Sequence, residues 1–206
     1  MLTIWGMTNS INVQKVMWAV AELGLEHERI DAGGAHGGLD TPAFGAMNPN
    51  RRVPTLRDGT FALWESNVIV RYLAAKHDAG GLWPTDLESR AVAEQWMDWQ
   101  QTTLAPELRP VFWGLVRMDP ARTDPAAIEA GIQNLQPLWG RLDQHLAGRA
   151  FVVGDRFTMG DIPAGAAYHR YRALGVERGR DENLSAWYER LKQRPAYRAH
   201  VMLPLS

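Results

Sequence analysis

Two short stretches, Arg52-Val53-Pro54-Thr55-Leu56 and Trp64-Glu65-Ser66-Asn67, carry residue types that can hold a peptide. Val53 precedes a proline, which pushes it into extended geometry while leaving its N–H and C=O for pairing. Pro54 offers no N–H and suits the entrance of a strand. If the Val53-Pro54 bond is cis, the two Val53 groups turn outward and can pair with an extended ligand as a short ladder. Glu65-Ser66 opens the run Val68-Ile69-Val70-Arg71-Tyr72-Leu73, whose apolar residues recur at helical spacing. The free first-turn N–H groups and dipole of such a helix attract a carboxylate, and Glu65 supplies a partner for an ammonium. The pair suits an α-amino acid head group. The plain alternative is a strand-start proline and a Ser or Glu capping a helix, and on Pro54 alone that reading wins, since few X-Pro bonds are cis.

The elements that must position these residues follow from the pattern of the chain. Up to about His77, short β-like runs alternate with helical ones: Leu2 to Gly6, Asn12 to Leu23, His27 to Asp31, Pro54 to Leu56, Phe61 to Leu63 and Glu65 to His77. Alternation of this kind predicts an α/β layer structure. The Gly-rich stretch Asp78-Ala79-Gly80-Gly81-Leu82-Trp83-Pro84 reads as a linker, and every long run after it is helical. Thr85-Asp86-Leu87-Glu88 predicts a capping box opening a helix through Trp96, Trp99 and Leu104. Asp124-Pro125 predicts an N-cap with proline at the first helical position, the helix ending near Leu146-Ala147-Gly148. Two domains are expected, a thioredoxin-like half over residues 1–78 and an all-helical half over 88–206, joined through 79–87. On the first helix Val13, Val16, Met17, Val20 and Leu23 form a core stripe that leaves Gln14, Lys15 and Glu22 for water.

Composition excludes several function classes. The 206 residues are 46% hydrophobic, enough to bury one generous core or two small ones. A net charge of -1 with no basic block argues against nucleic acid as a partner. No apolar run approaches the length of a membrane span, and Met1 leads straight into a strand, so a cytoplasmic protein without a membrane partner is expected. There is no cysteine, so neither a thiol nucleophile nor a thiolate metal ligand can come from the chain itself.

Taken together, the "VP" before a strand, the Glu-Ser helix start and Ile69-Val70-Arg71-Tyr72-Leu73, which fits "I-x-x-YL", resemble the cytosolic glutathione transferase superfamily. The resemblance runs along nearly the whole chain. The string Asn9-Ser10-Ile11-Asn12-Val13-Gln14-Lys15-Val16 is similar to the loop of its bacterial serine-type, theta- or phi-like members, with a Ser two residues before Asn-Val. It implies a thioredoxin-like α/β domain plus an all-α domain, glutathione as co-substrate, no metal, and a homodimer.

Chemistry then centres on Ser10. A glutathione thiol with a pKa of about 8.5 is mostly protonated at neutral pH, and lowering it by about two units takes roughly 2.7 kcal/mol of thiolate stabilisation. A hydroxyl donating to sulfur, aided by the first-turn N–H groups of the following helix, can supply it; the plainer role for Ser10 is a helix cap. Asn12 is the second choice, as a further donor or a cap. By the same resemblance Arg52 and His36 are candidates for the glycyl carboxylate, Val53 and Pro54 for the cysteinyl backbone, and Glu65 and Ser66 for the γ-glutamyl group. His36 stands in the Gly-rich Ala32 to Gly38, where alignment is ambiguous, and Arg51 replaces the Gly expected after "NPN". Met7, Trp113, Val116 and Tyr168 are candidate lining for the electrophile pocket. Asp98 is either a solvent-facing acid or a residue reaching a partner subunit's glutathione. Thr158-Met159-Gly160-Asp161, with Phe157 as a staple, reads as a structural capping box. Attack on a hydrophobic electrophile is the leading expectation. A glutathione-dependent reductase or peroxidase without a protein cysteine, and a non-catalytic binding module, are the alternatives.

Overall fold

A computed structural model describes residues 1–176, 179 and 181–206. The first half is a four-stranded sheet, with strands β1 (Leu2–Trp5), β2 (His27–Ile30), β3 (Thr55–Asp58) and β4 (Phe61–Trp64) in the order β2-β1-β3-β4. β1 runs parallel to β2, in register Ile4 with Arg29, and antiparallel to β3, with Ile4 opposite Leu56. β3 and β4 form a hairpin. Helix α1 (Ile11–Glu22) makes the crossover between β1 and β2, α2 (Pro42–Met47) lies before β3, and α3 (Ser66–His77) follows β4. The short helix α2, capped by Thr41 Oγ1 accepting from the Phe44 amide at 3.2 Å, was not foreseen.

From Leu87 the described chain is helical: α4 (Leu87–Trp99), α5 (Ala105–Phe112), α6 (Pro125–Leu146), α7 (Asp161–Ala173), α8 (Glu182–Lys192) and α9 (Pro195–His200). Five-residue π-helical turns, Gln100–Leu104 and Trp113–Arg117, flank α5. The cap of α4 is Asp86, whose carboxylate accepts from the Ser89 amide at 2.8 Å, one residue later than the expected Thr85. Asp124 caps α6 through the amides of Ala126 and Ala127.

Two cores share α1 and α3. Leu2, Ile4, Val13, Val16, Val20, Leu56, Ile69 and Leu73 fill the space beneath the sheet. Trp18, Ala19, Val70 and Ala74, on other faces of the same helices, join a larger core with Trp96, Met97, Leu142, Ile162, Trp187 and Tyr197. Because α1 is packed on both sides, the polar positions assigned to water are not there. Gln14 is 6% exposed and Lys15 fully buried. Glu22 accepts from Trp18 Nε1 and takes a two-pronged ion pair from Arg194 at 2.7 and 2.6 Å.

Asp161 also belongs to this core. Its two oxygens accept from the amides of Val152 and Thr158 and from Trp187 Nε1, each within 2.9 Å. Burial lifts the carboxyl to about 6 against the pull of those three donors.

Candidate active site

The loop between β1 and α1 carries Ser10. Gly6 at the end of β1 lets the chain turn close over α1, since a Cβ there would stand 2.4 Å from Val13 Cγ2. Beyond it, Ser10 N donates to Met7 O and Ser10 O receives the Gln14 amide at 2.9 Å. The Ser10 side chain makes no capping hydrogen bond, so its hydroxyl is not spent on the helix. The loop is fastened elsewhere. Gln14 Nε2 donates to Thr8 O at 3.0 Å, and Asn9 O accepts from Arg117 Nη2 at 3.2 Å and Arg170 Nη2 at 3.0 Å. Arg170 is 8% exposed, lies 4.1 Å over the Phe112 ring, and burial pushes its guanidinium down to about 10.

The proline stretch is positioned by Asn48. This residue is buried, and its Nδ2 donates to Arg52 O at 2.9 Å and Thr55 Oγ1 at 3.0 Å. Its Oδ1 accepts from the Asn50 amide. The Val53–Pro54 bond is cis. Arg51 stands at φ 50° and donates to Leu39 O and Thr41 O, which ties this turn to the start of α2.

Glu65 stands at φ 69° and ψ 112° before α3 and is exposed. Side chains rarely adopt that backbone region, and where they do the strain clusters at ligand-binding positions. Ser66 is buried, and its Oγ donates to Asn12 Oδ1 at 3.3 Å. Behind them Lys15 Nζ donates to Gln100 Oε1 at 2.9 Å, Asn67 Oδ1 at 3.2 Å, Gln101 Oε1 at 3.3 Å and Ser66 Oγ at 3.5 Å.

These parts surround one cleft of about 840 Å³ between the two halves of the molecule. Ser10, Asn12, Arg52, Val53, Pro54, Glu65 and Ser66 line it, as do Met7 and Trp113. Gln100, Gln101, Arg109, Arg117 and Arg170 join from the helical half. His36 does not line it: it is exposed in the Gly34–His36 turn. Val116 lies outside the lining because the π-helical turn sets its neighbours Trp113 and Arg117 toward the cleft instead. Tyr168 is fully buried, its hydroxyl on Asp181 and its ring against Trp139 and Tyr188, so it is core rather than pocket wall. Asp98 Oδ1 receives Arg71 Nη2 at 2.5 Å, an ion pair within the chain.

The N-terminal domain model of glutathione S-transferases matches residues 1–75, and the C-terminal domain model matches residues 125–190. Glutathione S-transferase GstB of Escherichia coli K12 is 43% identical over the full length of both chains. The chain belongs to the glutathione S-transferase family. The theta class glutathione S-transferase of Xanthomonas axonopodis pv. citri, solved with glutathione bound, superposes on this transferase fold with a TM-score of 0.96 at 46% identity, covering 100% of this chain and 99% of that one. Glutathione S-transferase 3 of Zea mays is 32% identical over 97% of this chain and 93% of its own. Among the described residues no group of acidic or histidine side chains is placed to hold a metal ion.

Sequence reasoning missed Asn48, Lys15, Gln100, Arg117 and Arg170. Asn48 had a signal, since an Asn before Pro and Asn is a strong turn former. The other four come together only through packing of the helical half on α1.

Proposed function

We propose that the protein uses Ser10 to hold the thiol of glutathione as a thiolate for attack on an electrophilic small molecule. The observation that carries this is the Ser10 hydroxyl, free of any capping bond and facing the cleft that Val53, Pro54, Glu65 and Ser66 also line. In this reading Val53 pairs with the cysteinyl backbone, and Arg52 receives the glycyl carboxylate. Glu65 receives the γ-glutamyl ammonium, and the first turn of α3, with Ser66, receives its carboxylate. That arrangement sets sulfur near Ser10. The donor set Ser10 with Asn12 then stabilises negative charge on sulfur in the ground state and aims it at the acceptor. Met7 and Trp113 supply apolar wall for that acceptor. The two halves divide across 79–87, so the peptide site is built mainly by the first half and the acceptor site by both.

A cytoplasmic location and a homodimer complete the proposal. The exposed Phe61, Trp64 and Val68, grouped on edge strand β4 and the start of α3, support a second copy as the partner. No described helix is long and apolar enough to cross a membrane.

Ultraviolet difference spectra of bound glutathione against pH test the role of Ser10. Wild type should show thiolate below the titration range of the free thiol, and Ser10→Ala should return the midpoint toward the free value. The rate with an aryl halide should fall about a hundredfold, the scale of losing a roughly 2.7 kcal/mol donor. An unchanged midpoint assigns the work to another donor.

A further inference from the structure

The four acceptors around the Lys15 ammonium are all neutral, and among the described residues no carboxylate stands within ion-pair distance of it. A cation buried without an anion is unfavourable, and a hydrophobic side chain of similar volume would fill the same space more stably. Three of the four acceptors, Ser66, Gln100 and Gln101, also line the cleft. The missing negative charge therefore has a place to come from, one side chain away, on the ligand side of Ser66.

We infer that Lys15 is a positioning residue that supplies the counter-charge for the γ-glutamyl carboxylate through Ser66, so that docking of the peptide draws a proton onto its amine. The assignment rests on the cleft being the glutathione site. Around Lys15, the turn before α3 presents Glu65, α3 presents Ser66 and Asn67, and α7 contributes the charge of Arg170. The π-helical turn offers only the amides of Gln100 and Gln101. Burial pushes the amine down to about 7, with Glu65 raising it and Arg170 lowering it further. Near neutral pH the free protein is thus divided between amine and ammonium, and a carboxylate at Ser66 favours the ammonium. Gln100 and Gln101 then hold the charged form from the other half, so the same proton fastens the two walls of the cleft.

S-Methylglutathione carries the head group without a titratable thiol, and calorimetry in buffers of different ionisation enthalpy counts the protons exchanged when it binds. If a tenfold difference in affinity separates the two forms of Lys15, linkage gives an uptake of about 0.4 proton per site at pH 8, and binding about fivefold tighter at pH 6 than at pH 8. Lys15→Met should lose both effects. Titration of the ligand's own amine is common to both proteins and cancels in the comparison. Equal proton counts in wild type and Lys15→Met would falsify the inference, as would no uptake by wild type, a measurement that needs no variant to fold. Failure of S-methylglutathione to bind wild type at all overturns the glutathione reading instead.

Discussion

Ser10, Lys15 and Glu65 each stand in an environment that a helix or loop does not need for its own sake. Ser10 caps nothing through its side chain, Glu65 holds a backbone conformation that glycine would adopt more easily, and Lys15 is a fully buried amine. The last has a consequence for stability. An unfolded lysine titrates at 10.5, the folded one at about 7, so between these values the unfolded chain binds more protons than the folded one. Stability therefore rises with pH across that window, by at most about 1.4 kcal/mol per unit from this group, and the gain is lost as pH falls toward 7. Urea unfolding at pH 7 and pH 9 should show a steeper rise for wild type than for Lys15→Met, and the variant should be the more stable at pH 7. Matching slopes would mean the amine keeps its charge in the fold. At this scale the sequence made the local part of the cleft lining legible, because Ser10, Val53, Pro54, Glu65 and Ser66, all of which line it, sit in short strings whose chemistry is set by their neighbours in the chain. Lys15 was misread, since a heptad-like stripe identifies one buried face and is silent about a helix buried on two.

Among the elements, α1 and α3 do the structural work of joining the halves, each packing one face beneath the sheet and another against the helices. Their lengths and order could be read from apolar periodicity. The π-helical turns Gln100–Leu104 and Trp113–Arg117 could not, because an extra residue in a helical turn leaves no mark in composition. Those turns carry Gln100, Trp113 and Arg117 to the cleft. The start of α7 was legible near Thr158 to Asp161, although its N-cap is Gly160, which has no side-chain cap, and Asp161, the first helical residue, holds Val152 and Trp187 instead. Asp161→Ala removes an acceptor from three buried donors and should destabilise the protein by about 3 kcal/mol or more. The pH midpoint of bound-glutathione thiolate should stay where it is in the fraction that folds. A shifted midpoint would instead draw Asp161 into the chemistry.

Across the whole molecule, the α/β half and the helical half were evident from the alternation of runs, while the cleft between the halves was not, since no periodicity records how two units face each other. The surface bears exposed apolar side chains on one side. Phe61 is 48% exposed and Val68 42%, on the edge strand and the adjoining helix, and the Arg71–Asp98 pair extends that side of the molecule from α3 onto α4. If a second copy covers this face, Phe61→Glu combined with Val68→Glu should convert the species seen by sedimentation velocity from dimer to monomer at micromolar concentration. A wild type that sediments as a monomer would dismiss the dimer outright.

The closed cage of Lys15 also bears on the protein's own durability. The chain has no cysteine and three lysines. Lys76 and Lys192 stand away from the cleft, in ion pairs with Asp58 and Glu189. Lys15 is divided between amine and ammonium near neutral pH, and it lies behind Ser66, Gln100 and Gln101, which line the cleft. With no exposed surface it offers a small molecule in the cleft no angle of approach. Among the described residues neither a thiol nor an amine of the chain therefore lines the cleft, and the nucleophilic sulfur this wall does present is the thioether of Met7.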